Sequence, residues 1–152
     1  MPQATMNKTN ALAAVLNRQV ANCTVLYMKL HNYHWYVKGQ HFFTLHAKFE
    51  ELYEEITEHL DALAERLLTI GGSPVADLKG CLQQASVQEA SGNETPEEMV
   101  RTLVNDFNTV ITELGQGMKE ADQQGDDATS DLLLDIRSSL EKHNWMLRSF
   151  IS

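Results

Sequence analysis

Apolar residues recur at steps of three and four through most of this chain, the period of amphipathic helices. The clearest run is Leu45, Phe49, Leu52, Ile56, Leu60, Leu63, Leu67 and Ile70. It predicts one long helix, brought to an end by Gly71, Gly72 and Pro74. Before it, a first helix is expected to start between Asn7 and Asn10 and to run to about Tyr36. Its buried face would carry Leu12, Leu16, Cys23, Leu26, Tyr27, Leu30 and His34. Val37 to His41 is then a turn, with Gly39 free to reverse the chain. Two long helices joined so tightly must lie antiparallel.

Residues 71–96 read as a long connection, with a short helix near Val75 to Ala85 and a polar loop at Ser91-Gly92-Asn93. Thr95-Pro96-Glu97-Glu98 is a helix start, with Thr at the N-cap, Pro at the first helical position and Glu at the third. The helix that follows would bury Met99 or Val100, Leu103, Phe107, Val110 or Ile111, Leu114 and Met118. Gly115 and Gly117 each weaken it by about 1 kcal/mol, or else permit close packing. After a turn closed by Gly125, a last helix from about Asp127 to Phe150 would point Leu132, Ile136, Leu140, His143 and Leu147 inward. The expected class is all-α, a four-helix bundle with a long crossover carrying a short extra helix.

A length of 152 residues suits one domain, 1–152, and 22% charged with 43% hydrophobic residues is ordinary globular composition. No apolar run reaches the roughly 18 residues that span a bilayer, and the opening MPQATMNKTN lacks a hydrophobic signal segment. A cytoplasmic protein with no membrane partner is expected. Cys23 and Cys81 are too few and too far apart for a disulfide framework or a zinc motif, and Cys23 reads as a small core residue. The formal net charge of −9 disfavours unaided nucleic-acid binding and favours attraction of cations.

The second helix carries two pairs at i, i+4, His46 with Glu50 and Asp61 with Glu65. All four fall within a sector of roughly 100°, beside the apolar stripe and not on it. His46 and Asp61 are 15 residues apart, roughly 22 Å along a helix axis. Metal–ligand bonds are only about 2.0–2.6 Å, so one straight helix cannot offer both pairs to one ion. A second copy, antiparallel across a two-fold axis, can, and such a contact makes the site twice per dimer. On spacing alone a solvated acidic flank remains the competing reading. His34, continuing the apolar face of the first helix, would bring two imidazoles to three carboxylates, a mixed set suited to iron, manganese or zinc.

His34-Trp35, Val37-x-Gly39, Phe42-x-x-Leu45-His46, Phe49, Asp61-x-x-Ala64-Glu65-Arg66 and Gly71-Gly72-x-Pro74, with the ending WMLRSF, together resemble the Dps family of miniferritins (DNA-binding proteins from starved cells). The resemblance covers essentially the whole chain. It implies a ferritin-like bundle assembling into a hollow dodecamer. It also implies a ferroxidase that oxidises Fe2+ with hydrogen peroxide, or with O2, and stores ferric mineral, protecting the cell from oxidative damage. The implied metal residues are His34, His46 and Glu50 of one chain with Asp61 and Glu65 of another, one or two irons (Fe2+/Fe3+) per inter-subunit centre. Position 50 is aspartate in some members and Glu here. Trp35 is implied beside the centre, where it takes up radical equivalents. Asp127 and Asp131 are implied to line an acidic pore at a three-fold axis; read alone, they and Asp122 and Asp126 complement a helix dipole.

None of the six histidines has a glutamate three residues before it, which argues against an intrasubunit Glu-x-x-His di-iron site. His31 and His59 read as surface or interface residues, His41 as a turn residue outside the site, and His143 as a hydrogen-bonded core histidine. Direct DNA binding in some members depends on a lysine-rich N-terminal tail, whereas this tail has only Lys8. Two alternatives stay open. One is a non-catalytic, nucleoid-associated protein that protects DNA by coating it. The other is a shell that takes up zinc or manganese without redox work.

Overall fold

The structure is a computed structural model that describes the backbone of residues 2–152 and the side chains of residues 11–152. The Lys8 side chain therefore lies outside the described residues. Five helices follow in order: α1 (Pro2–Tyr36), α2 (Phe42–Thr69), α3 (Leu78–Gln84), α4 (Pro96–Gln123) and α5 (Asp127–Phe150). Helix α1 begins earlier than the periodicity suggested, with Pro2 at a position where a missing N–H costs nothing. The short helix α3 is tighter than the expected 75–85 span, because Asp77 caps it through the Gly80 N–H and Ala85 leaves it in extended geometry. Among the described residues no helix is long and apolar enough to cross a membrane.

Helices α1 and α2 form one hairpin, α4 and α5 a second, and α1 packs on α4 and on the crossover helix α3. The α1–α2 reversal is tight because Gly39 sits at φ +99°, where a side chain would be strained, and its carbonyl accepts from the Phe42 N–H. The predicted stripe of α2 faces inward, with Leu45, Phe49, Leu52, Ile56, Leu63 and Leu67 buried and Leu60 and Ile70 only partly so. Thr95 and Glu98 close the expected capping box on α4. Both Met99 and Val100 are buried.

Two expectations about packing change, and one open alternative is decided. Tyr27 is 37% exposed, not buried, because it turns toward His31. On α5 Leu133 is fully buried, while its neighbour Leu132 only packs against the core margin. Of the two α4 glycines, Gly117 is the close-packing one: a Cβ there would lie 2.9 Å from Leu133 Cδ1 and 3.0 Å from Val15 Cγ1.

Polar residues of α1 hold the crossover in place. Asn17 pairs with the Ser73 carbonyl and the Val75 N–H, and Asn22 Oδ1 accepts from the Ser86 N–H. Lys29 Nζ donates to the Gln88 carbonyl and pairs with Asp106 at 2.8 Å, and the Tyr33 hydroxyl donates to Glu94. Near the middle, Glu113 of α4 accepts from Gln19, Asn22 and Ser86. These contacts fix α1, whose last turn carries the first candidate ligand.

Candidate metal centre

The α1–α2 reversal sets the end of one helix against the start of the next. His34 and His46 consequently stack, with ring centroids 3.7 Å apart and planes 11° from parallel. Phe42 covers the other face of His46, with centroids 4.8 Å apart. Each imidazole Nδ1 lies 2.7 Å from the other residue's backbone carbonyl oxygen. A carbonyl can only accept, so each Nδ1 carries the proton and each Nε2 is left with a lone pair. This crossed pair of bonds assigns the tautomer and fixes both rings, the arrangement found behind metal-binding histidines.

Glu50 stands one helical turn beyond His46, with its Oε1 3.8 Å from His34 Nε2 and its side chain half-exposed. Two electron-pair donors thus face each other across a gap that either a proton on His34 or a cation can fill. The three residues do not close on a common point. Among the described residues no three His, Cys, Asp or Glu side chains are placed to hold a metal ion. Asp61 and Glu65 are exposed on the same helix, roughly 22 Å further on. One chain therefore gathers His34, His46 and Glu50 and leaves the other two candidates apart.

The surrounding rings were less visible in the sequence. Tyr53 stacks on His31, with centroids 3.7 Å apart and planes 23° from parallel, and meets the His34 ring edge-on at 5.3 Å. Trp35 is 61% exposed and lies against His31, centroids 5.3 Å apart. The signal for Tyr53 was its spacing, three residues after Glu50 and seven after His46, which puts it on the ligand-bearing face.

The ferritin-like domain family matches residues 13–152. General stress protein 20U of Bacillus subtilis (strain 168) is 56% identical over 140 residues, covering 92% of this chain and 97% of that protein. The DNA protection during starvation protein of Brevibacillus brevis is 55% identical over 140 residues, covering 92% of this chain and 94% of that one. The crystal structure of a Dps protein from Bacillus brevis superposes with a TM-score of 0.94 at 53% identity, over 96% of this chain and 98% of that one. The chain belongs to the Dps family.

In this Dps chain the acidic residues before and within α5 divide by role. Asp126 is the α5 N-cap; it accepts from the Thr129 N–H and hydroxyl and from Arg66 at 3.0 Å. Partial burial pushes its carboxyl up, but the bonds from Thr129 and the Arg66 charge outweigh this and hold it below its ordinary value. Asp127 and Asp131, the pore candidates, are exposed one turn apart, and Asp122 is exposed as well.

A second polar cluster ties α2 to α5. Glu55 accepts from His143 Nε2 at 3.1 Å, His59 Nε2 at 3.2 Å and Ser139 Oγ at 2.8 Å. Hydrogen bonds from His143 and then His59 hold its carboxyl far below the ordinary range. Lys48 Nζ lies 3.0 Å from His143 Nδ1, so the buried His143 has a partner on both nitrogens, as expected of a core histidine. His41 packs edge-on against Phe150, away from the imidazole pair. No local pattern marks Glu55, since its partner His143 lies 88 residues away in sequence.

Proposed function

We propose that this protein is an iron-storing miniferritin. It oxidises Fe2+ with hydrogen peroxide, or with O2, at centres shared by two-fold-related subunits of a hollow, cytoplasmic dodecamer. Iron storage and DNA protection are the general roles of the Dps family. The observation that supports the finer reading is the half-built donor set. His34 and His46 present free Nε2 lone pairs beside Glu50, while Asp61 and Glu65 stand exposed roughly 22 Å further along the same helix. An antiparallel copy of α2 would bring the partner subunit's Asp61 and Glu65 to the first chain's imidazoles, twice per dimer.

Fe2+ is the substrate, drawn in past Asp127 and Asp131 by a strongly acidic protein. At the centre the carboxylates favour the more highly charged Fe3+ and so promote oxidation. Two ferrous ions give one electron each to one peroxide. The O–O bond breaks, two protons are taken up from solvent, both oxygens leave as water, and no hydroxyl radical is released. Trp35, exposed at the rim beside His31, intercepts one-electron equivalents that escape. Ferric mineral then accumulates on carboxylates lining the cavity.

The test is anaerobic addition of Fe2+ followed by peroxide, read by ferric absorbance and by the peroxide consumed. Two irons oxidised per peroxide, without a hydroxyl-radical spin adduct, is the expected result; one per peroxide with radical release would overturn the reading. Sedimentation should give about 200 kDa for closed assembly of twelve 17.1 kDa chains, and a stable monomer would remove the shell. The relatives' name, DNA protection during starvation, favours a second reading in which the shell coats DNA without chemistry. The net charge of −9 opposes it, and a plasmid mobility shift at about 0.15 M salt separates the two.

A further inference from the structure

Glu50 reaches its candidate position on a longer, freer side chain than an aspartate would have, and half of that side chain is exposed. Something must choose its rotamer if it is to meet a cation in one geometry. The Tyr53 hydroxyl lies 3.5 Å from Glu50 Oε1, the same oxygen that faces His34 Nε2. That distance is at the outer limit of a hydrogen bond. Polar contacts of this kind are often long before a site is loaded.

Tyr53 is itself boxed in. His31 stacks on one face of its ring, His34 meets it edge-on, and Tyr27 lies edge-on with centroids 6.4 Å apart. His31 is held in turn, its Nδ1 2.7 Å from the Tyr27 carbonyl oxygen. Three rings and one backbone bond thus determine where a single hydroxyl stands, and it stands beside a half-exposed candidate ligand.

Resting on the metal-centre reading above, we infer that Tyr53 is a positioning residue: its hydroxyl donates to Glu50 and holds that carboxylate toward the imidazole pair for the incoming cation. Outer partners of this kind are worth about 10- to 100-fold in metal affinity or activity. The loss should fall on binding, because the contact is made before and during oxidation alike. Apparent KM for Fe2+ then rises while the saturated rate is unchanged.

Tyr53→Phe keeps the ring stack and removes only the hydroxyl. Co2+, followed by its d–d absorption on the assembled protein, reports affinity without turnover. Wild type, Tyr53→Phe, Glu50→Ala and the double variant form a cycle, with His46→Ala as the control for the site itself. Tyr53→Phe should weaken Co2+ binding about ten-fold and add little to Glu50→Ala, since it acts through that residue. Unchanged affinity in Tyr53→Phe, or the same loss in both backgrounds, overturns the assignment while His46→Ala still abolishes binding. If His46→Ala leaves Co2+ affinity intact, the metal-centre reading fails and the role of Tyr53 fails with it.

Discussion

Glu113 is a carboxylate at which α1, α4 and the crossover meet, and its removal has a calculable cost. Its Oε1 accepts from Gln19 Nε2 at 2.8 Å and Asn22 Nδ2 at 3.0 Å, and its Oε2 accepts from Ser86 Oγ at 2.6 Å. Gln19 and Asn22 are fully buried in the intact protein, so Glu113 and not water is the acceptor at their end. Asn22 keeps one partner for its amide in Gln19 Oε1, whereas Gln19 Nε2 keeps none of those described. A hydrogen bond to a charged group contributes about 1.5–3 kcal/mol, and an orphaned buried donor costs about 1–3 kcal/mol. Glu113 is itself partly exposed, so solvent can reach the vacated space and the lower ends apply. Glu113→Ala should therefore destabilise by about 3 kcal/mol, lowering Tm by about 6 to 12 °C for a domain of this size. Glu113→Gln keeps one acceptor oxygen and should cost about 1 kcal/mol. Thermal unfolding at matched protein concentration makes the comparison, because assembly makes Tm concentration-dependent. A Glu113→Ala loss under about 0.5 kcal/mol, or equal losses in the two variants, would refute this account of the network.

Two further outcomes follow from particular residues. Burial pushes the Glu94 carboxyl up, but hydrogen bonds from the Ser91 N–H and the Tyr33 hydroxyl outweigh it and lower its pKa from 4.5 to about 2. A depressed carboxylate stabilises fully above its unfolded value and stops doing so as pH falls through the folded one. Stability should thus decline between about pH 4.5 and 2, and Glu94→Gln should flatten that stretch of the acid-denaturation curve. An unchanged slope there would discount the Tyr33–Glu94 anchor. Gly117→Ala gains about 1 kcal/mol of helix propensity but costs about 1–3 kcal/mol in overpacking against Leu133 and the β-branched Val15. A net loss is expected in chemical denaturation, and a net gain would show that this helix contact yields freely.

The helices were legible because their burial is periodic. The α2 stripe from Leu45 to Leu67 and the Thr95 capping box needed nothing beyond local sequence. Adjacent leucines were not separable by a 3.6-residue period, and Leu133 rather than Leu132 fills the core against Gly117. Gln19, Asn22 and Lys29 interrupt the apolar face of α1, and only the folded crossover shows what they bind. At the centre, residue type and spacing marked His34, His46 and Glu50, which the fold brings together. The tautomer lock was hidden, since it depends on two backbone carbonyls meeting across a turn. The acidic run before α5 looked uniform, yet Asp126 is engaged by Arg66, which comes from 60 residues earlier, and Asp127 is left exposed.

The central claim is that each centre draws ligands from two chains, and co-assembly of two inactive variants tests it most directly. His46→Ala and Asp61→Ala should each abolish rapid peroxide-driven Fe2+ oxidation while still sedimenting at the wild-type size. In a random equal mixture, a centre is complete only when the chain supplying His46 is the Asp61→Ala chain and its partner is the His46→Ala chain. Each condition holds half the time, so about one quarter of the wild-type activity should return on mixed assembly. An intrasubunit centre leaves a lesion in every site, and mixed shells no more active than either variant alone would contradict the account.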